Sequence, residues 1–138
     1  ILTLEAGGTR KPFTAESLAS GAYQYLAMDG REVFREAVGR MAGTVSDVLR
    51  RIGREVDDVA LVIPHQANKR IIDAVRKRVG LDSERVYVNV HEYGNTGSAS
   101  VPLALWEAVG SGRIGAGDLV VLTAFGAGFH WAAAAVQF

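Results

Sequence analysis

Two long apolar runs constrain the fold of this sequence more than any other feature. One is Val59-Ala60-Leu61-Val62-Ile63, and the other extends from Leu119 to Phe125. Neither run alternates between apolar and polar residues, so each predicts a strand that is buried on both faces. Helices usually provide the cover for such strands. The two runs therefore indicate an α/β architecture.

Three segments with helical periodicity are interleaved with these strands. The clearest runs from Asp29 to Ile52, and the others are expected at about 67–79 and 98–109. Apolar residues recur along the first segment at steps of three and four, which places them on one face. Asp29 is a suitable N-cap, and Gly53 a suitable residue beyond the C-terminus.

Two further strands complete the predicted sheet. Val86 to Val90 is expected to be the second strand along the chain, and Phe129 to Gln137 the last one, returning after a tight glycine turn. The predicted order is helix, strand, helix, strand, helix, strand, strand. Alternation of this kind gives a mixed sheet covered by helices.

The first 28 residues have no strong helical period. Ile1 to Leu4 is expected to form a strand that pairs with a sheet outside this chain. The sequence begins without an initiator Met and without a basic signal-peptide region, so we expect a fragment of a longer protein. The expected division is residues 1–28 as a lead-in strand and loop, and residues 29–138 as an α/β domain.

Composition excludes several classes of function. Lys and Arg together number 15, as do Asp and Glu, so nucleic-acid binding through bulk charge is not expected. The chain has no cysteine, which excludes disulfides, thiolate zinc sites and a thiol nucleophile within it. No apolar run reaches the length of about 20 residues that a membrane span needs. The three histidines lack metal-ligand spacing, so no metal site is expected.

Three polar or glycine-rich segments follow the predicted strands. They are Pro64 to Asn68, His91 to Gly97 and Phe125 to Gly128. Functional groups of open α/β sheets gather beyond the carboxyl ends of the strands. If these strands are parallel, all three segments lie at one edge of the sheet.

Each segment has a structural and a chemical interpretation. His65 is either a capping residue at a helix start or an acid, base or hydrogen-bond donor. Asn95 is either a left-handed turn residue or an amide donor to an oxyanion. Gly126 to Gly128 is either a hairpin turn or a source of backbone N–H groups. Trp106 and Trp131 are interpreted as core or interface residues.

Five motifs in the same order resemble those of the β-ketoacyl-[acyl-carrier-protein] synthase III family. They are Met28 to Phe34, Pro64 to Asn68, Tyr93 to Thr96, Gly112 to Asp118 and Ala124 to Phe129. The resemblance implies a thiolase-like fold of two similar halves. The N-terminal half of that family supplies a cysteine nucleophile, and this chain resembles the C-terminal half.

The resemblance also implies catalytic roles. The family condenses acyl-CoA with malonyl-[acyl-carrier-protein] under loss of CO₂, which starts fatty acid synthesis. His65 and Asn95 would hydrogen-bond the malonyl thioester oxygen, and the backbone N–H of Ala127 would hold a second oxyanion. The family usually has glycine where Ala127 stands. No cofactor is implied beyond the CoA and carrier-protein thioesters that serve as substrates.

Further residues acquire binding roles by resemblance. Gly30 and Arg31 match the lining of the CoA tunnel, Asn68 would orient water and the pantetheine arm, and Phe125 would abut the reactive centre. Four cations would dock the acidic carrier protein: Arg35, Arg70, Lys77 and Arg78. A solvated helix surface is the alternative interpretation of the last three.

The partners implied are the N-terminal half, a second subunit in a homodimer, acyl-CoA and the carrier protein, in the cytoplasm, with no nucleic acid or membrane. Three alternatives stay open at this point. One is a related condensing enzyme of polyketide or specialised metabolism, and another is a non-catalytic thiolase-fold scaffold or partner subunit. The third is an isolated fragment without activity of its own.

Overall fold

The structure is a computed structural model that describes residues 2–138, and the chain divides into two units. One unit extends to Glu36 and the other comprises Ala37–Phe138. The expected boundary after residue 28 stays a prediction.

The first unit contains a small sheet. Strand β1 (Leu2–Leu4) pairs antiparallel with β2 (Leu26–Met28), so the lead-in strand finds a partner within the chain. Ile1, where that strand was expected to begin, lies outside the described residues. Helix α1 (Ala15–Ser20) was not predicted, and it is closed by a capping box between Thr14 and Ser17. That short signal lacks the Glu or Gln that usually marks such a box.

Helix α2 (Gly30–Arg51) confirms the clearest sequence prediction. Asp29 Oδ1 accepts hydrogen bonds from the backbone N–H groups of Arg31 and Glu32 at 3.1 and 3.0 Å. Gly53 has the positive φ of 65° that ends many helices. The apolar face of α2 contributes Val45 and Leu49 to the core of the second unit.

The central sheet of the second unit has the strand order β3-β4-β5. Strand β3 (Val59–Pro64) pairs parallel with β4 (Leu119–Gly126), and β4 pairs antiparallel with β5 (His130–Gln137). The sheet is mixed, as predicted. The two apolar runs form β3 and β4, and their central residues are buried.

Helices α3 (Lys69–Val79) and α5 (Ser100–Gly110) flank this sheet. Ile72 of α3 packs with α2 and with one set of strand residues, which includes Val62 and Val121. Ala104 and Ala108 of α5 pack with the alternate set, Leu61, Ile63 and Val120. Successive strand residues point to opposite faces, so the sheet is covered on both sides. A short α-helix, α4 (Val90–Tyr93), precedes α5 along the chain.

The predicted strand Val86–Val90 is wrong. Val86 forms an isolated parallel bridge with Val62, and Tyr87 N–H donates to Val62 O at 2.9 Å. Beyond that point the chain leaves the sheet and turns into α4.

The reason is a side chain that takes over the main-chain hydrogen bonds. Gln66 accepts from the backbone N–H groups of Asn89 and Val90, at 2.9 and 3.2 Å, and donates to Tyr87 O at 3.1 Å. These backbone groups are therefore satisfied without a strand ladder. A run of β-branched residues alone does not reveal this competition.

Candidate active site

The edge of the sheet beyond β3 and β4 gathers two of the candidate segments. His65 follows Pro64, the last residue of β3, and its backbone N–H donates to Thr123 O of β4 at 2.8 Å. Since β3 and β4 are parallel, the turn that follows β4 leaves the same edge of the sheet. The structure thus places His65 and the turn that contains Ala127 beyond neighbouring carboxyl ends.

The imidazole of His65 is held by a buried serine. His65 Nδ1 lies 2.5 Å from Ser100 Oγ, and Ser100, the first residue of α5, is 1% exposed. Ser100 Oγ also accepts a hydrogen bond of 3.3 Å from Gln66 N–H. A hydroxyl that already accepts one bond can donate its own hydrogen to Nδ1. In the tautomer that accepts this hydrogen, the imidazole proton is on Nε2, which makes Nε2 a donor.

Burial controls the charge of this imidazole. Desolvation lowers the pKa of His65 below its ordinary value, because the protonated ring loses hydration in this half-buried position. The neutral ring is consequently the dominant form near pH 7. A neutral imidazole with its proton on Nε2 can polarise a carbonyl oxygen.

Asn95 follows α4 after a single glycine. Its side chain is exposed, and its Oδ1 accepts a hydrogen bond of 3.0 Å from Gly97 N–H. This Asx-type bond uses the carbonyl oxygen of the side chain and leaves the two Nδ2 hydrogens for another acceptor. The turn interpretation and the donor interpretation of Asn95 are therefore compatible.

The turn between β4 and β5 consists of Ala127, Gly128 and Phe129. Gly128 and Phe129 have positive φ values of 76° and 57°, and the latter is a strained conformation for a bulky residue. The rings of Phe125 and Phe129 meet edge to face, with centroids 5.5 Å apart. Ala127 is exposed at the start of this turn.

Asn68 has a structural role that was not predicted. It is the N-cap of α3, and its Oδ1 accepts from Ile71 N–H at 3.0 Å. The capping role was considered for His65 instead, whose ring contacts α5. The predicted contact of Asn68 with the pantetheine arm stays a prediction.

A carboxylate joins α5 to the segment around α4. Glu107 accepts hydrogen bonds from Tyr93 Oη, from Asn89 Nδ2 at 2.6 Å and from Tyr87 Oη at 3.3 Å. The hydrogen bond from Tyr93 is the main cause that lowers the pKa of Glu107, and the same bond raises the pKa of Tyr93. Sequence reasoning missed Glu107, since no local pattern distinguishes it from other helix-surface glutamates.

The predicted docking cations are exposed. Arg70, Lys77 and Arg78 lie on α3, and the spacing of seven and eight residues places these three on one side of it. Arg35 lies on α2 in the first unit and is also exposed, with ion pairs to Glu32 at 3.6 Å and Glu36 at 3.5 Å. Their role in docking stays a prediction.

The tunnel-lining candidates belong to the first unit. Gly30 is the first residue of α2, and Arg31 is exposed in its first turn. Within residues 2–138, no group of three or more His, Cys, Asp or Glu side chains is arranged to hold a metal ion. No helix in that range is long and apolar enough to cross a membrane.

Comparison with known families gives one clear match. Residues 49–138 match the family model described as 3-oxoacyl-[acyl-carrier-protein] synthase III C terminal. A β-ketoacyl-[acyl-carrier-protein] synthase III from Roseiflexus castenholzii is 50% identical over 99% of this chain. The match covers 41% of that protein, so the chain spans less than half the length of this relative.

Solved structures give the same result for the fold. The 3-oxoacyl-[acyl-carrier-protein] synthase III of Pseudomonas aeruginosa superimposes with a TM-score of 0.84 and 39% identity, over 100% of this chain and 41% of that one. The enzyme of the same type from Thermus thermophilus gives a TM-score of 0.80 with 54% identity, over 82% of this chain and 35% of that one.

Proposed function

The chain belongs to the 3-oxoacyl-[acyl-carrier-protein] synthase III family, and on that premise we propose that it is the C-terminal catalytic half of such an enzyme. The complete enzyme would be an acyltransferase that condenses acyl-CoA with malonyl-[acyl-carrier-protein]. The nucleophilic cysteine would belong to the N-terminal half, since this chain contains no cysteine.

The reaction proceeds in two stages. In the first, the cysteine thiolate attacks acyl-CoA and releases CoA, which leaves an acyl thioester on the enzyme. In the second, malonyl-[acyl-carrier-protein] loses CO₂ and becomes an enolate of its thioester. The enolate carbon attacks the acyl thioester and expels the cysteine thiolate. The products are CO₂ and 3-oxoacyl-[acyl-carrier-protein].

His65 and Asn95 serve the second stage. Negative charge develops on the malonyl thioester oxygen as CO₂ leaves. Nε2–H of His65 and Nδ2–H of Asn95 donate to that oxygen, and fixed donors of this kind stabilise the transition state more than the ground state. The backbone N–H of Ala127 holds the other oxyanion, which forms when the acyl thioester is attacked. A backbone donor survives the change from glycine to alanine at this position.

The observation that carries the proposal is the state of His65. The imidazole lies beyond the end of β3, is kept neutral by burial, and is fixed through Nδ1 by Ser100. In the tautomer that accepts from Ser100 through Nδ1, the remaining nitrogen, Nε2, is a donor. A scaffold protein has no chemical need for this arrangement together with an asparagine whose amide hydrogens are available.

The site and the exposed surfaces also support a set of partners. CoA and carrier-protein thioesters would be the substrates, without a further cofactor. Asn68 and Phe125 are the proposed contacts in the second unit, and Gly30 and Arg31 are separate candidates for CoA binding in the first unit. The exposed cations of α3 suit an acidic carrier protein.

Helix α5 exposes the apolar side chains of Leu103, Trp106 and Val109, with Trp106 73% exposed. An exposed apolar surface of this kind marks an interaction site, and the N-terminal half of a dimeric cytoplasmic enzyme would bury it.

The test separates the two stages in the full-length enzyme. His65→Ala and Asn95→Ala should each lower malonyl decarboxylation by about 100- to 1000-fold, the usual loss for one oxyanion donor. Acylation of the cysteine by radiolabelled acyl-CoA should continue, since neither donor faces that carbonyl.

Normal decarboxylation in both variants would disprove the assigned roles. Parallel loss of acylation would instead indicate a general structural defect. The 138-residue chain by itself should not condense acyl-CoA with malonyl-[acyl-carrier-protein].

A further inference from the structure

Gln66 is a buried polar residue to which the proposed chemistry assigns no role. Its side chain is 1% exposed, although it lies next to the half-buried His65. A buried amide is costly unless all of its hydrogen-bonding groups are paired. The hydrogen-bond partners of the Gln66 amide therefore indicate which segments of the chain it holds together.

All four hydrogen-bonding positions of the Gln66 amide are occupied. Nε2 donates to Pro64 O at 2.8 Å and to Tyr87 O at 3.1 Å. Oε1 accepts from Asn89 N–H at 2.9 Å and from Val90 N–H at 3.2 Å. Carbonyl groups on one side and N–H groups on the other determine the orientation of the amide without ambiguity.

These bonds connect the two segments that carry the proposed donors. Pro64 immediately precedes His65, whereas Asn89 is the N-cap of α4 and Val90 its first residue. That helix ends at Tyr93, two residues before Asn95. The Gln66 amide thus spans the distance between the end of β3 and the start of the short helix that leads to Asn95.

A second set of contacts holds the same two segments against α5. Ser100 binds the His65 ring and the Gln66 N–H, while Glu107 binds the side chain of Asn89. Because α5 contacts both segments, we expect loss of the Gln66 amide to change their mutual spacing more than it changes the rest of the core.

We propose that Gln66 is a positioning residue that sets the spacing between the His65 imidazole and the Asn95 carboxamide, so that both donors reach one thioester oxygen. This inference rests on the proposed function. A displacement of about 1 Å at a reacting group can cost about 100-fold in rate. Loss of the Gln66 amide should therefore lower the rate of malonyl decarboxylation, which uses both donors, more than the rate of cysteine acylation, which uses neither.

The experiment uses the full-length enzyme and two variants of Gln66. Gln66→Met removes all four hydrogen bonds at similar volume. We expect malonyl decarboxylation to fall by about 10- to 100-fold, with cysteine acylation by acyl-CoA changed less than about threefold. A general structural role would lower both rates together.

Gln66→Glu adds a pH-dependent test. Its carboxylate still accepts from Asn89 and Val90 but repels the carbonyl oxygens of Pro64 and Tyr87. Protonation of the carboxyl restores one donor, and burial makes that protonation easier. The decarboxylation rate relative to wild type should therefore rise as the pH falls from about 8 to about 5.5, while the acylation ratio stays flat.

Thr44→Val is the control, because Thr44 of α2 is partly buried, its hydroxyl bonds Met41 O at 2.9 Å and Thr123 Oγ1 at 3.0 Å, and it has no assigned contact with His65 or Asn95. It should lower the thermal midpoint without changing the ratio of the two rates. If Gln66→Met does not fold, the pH dependence of Gln66→Glu decides. Unchanged rates, or equal loss of both, would overturn the proposal for Gln66.

His65→Ala distinguishes this failure from a failure of the proposed function. If His65→Ala loses decarboxylation and the Gln66 variants do not, the positioning role alone is wrong. If His65→Ala keeps full decarboxylation, the proposed function is wrong.

Discussion

At the scale of single residues, the surroundings of His65 determine its chemistry. Ser100 fixes the ring through Nδ1, and partial burial removes water from the ring. Burial favours the neutral imidazole by penalising the charge, whereas the contact with Ser100 fixes the orientation of the ring. A histidine in the same sequence motif on an exposed loop would have neither property.

Burial of His65 predicts a contribution to stability that depends on pH. Its pKa is lower in the folded protein than the value of about 6.5 in an unfolded chain. The unfolded state therefore binds the proton more readily, and stability rises with pH until it levels above about 6.5. Wild type should lose more thermal stability between about pH 8 and about pH 5 than His65→Gln does, as measured by calorimetry. Equal losses in the two proteins would contradict the burial argument.

At the scale of elements, caps and side-chain amides decide where helices begin and strands end. Asn68 closes the first turn of α3, and Gln66 ends the sheet pairing that Val86 begins. Two residues of one loop thus shape two different elements. The loop that contains Gln66 and Asn68 is consequently both a candidate substrate-binding site and a structural connection between α3 and the segment that leads into α4.

Two substitutions of Asn68 should separate its roles. Asn68→Ala removes the acceptor for Ile71 N–H and should destabilise the enzyme by about 1 kcal/mol in denaturant unfolding. Asn68→Asp keeps a capping oxygen and should retain stability, but it removes the amide hydrogens. A fall in condensation activity for Asn68→Asp at full stability would support the contact with the pantetheine arm, and full activity would contradict it.

At the scale of the whole molecule, charge is balanced overall but unevenly distributed. The net formal charge is +0, yet the exposed surface of α3 carries Arg70, Lys77 and Arg78. A local patch of one sign can steer an oppositely charged partner even when the protein is neutral. The proposed partner is the acidic carrier protein, which reaches the site with its thioester.

Charge reversal on α3 tests this docking surface. An exposed ion pair contributes about 0.2–1 kcal/mol, so Arg70→Glu should raise KM for the malonyl carrier protein by about 1.4- to fivefold. KM for an acyl-CoA thioester should change little. Arg51→Glu, an exposed cation at the end of α2, is the matched control. Equal effects on both substrates, or an equal effect of the control, would exclude specific docking by α3.

The sequence by itself determined which segments are buried and where the polar loops follow them. The periodic apolar residues of α2 and the continuous runs of β3 and β4 encode burial locally, so their elements could be predicted within a few residues. The motifs of these loops also predicted the family. Each of these patterns involves residues that are close together in the sequence, so it can be recognised without the structure.

The tertiary structure alone decided what surrounds the candidate donors. Ser100 lies 35 residues from His65, and Gln66 lies 23 residues from Asn89. No local sequence pattern therefore predicts either contact. For the same reason the run Val86–Val90 was predicted as a strand. Its backbone groups had a competing partner, the Gln66 amide, that becomes a neighbour only once the chain has folded.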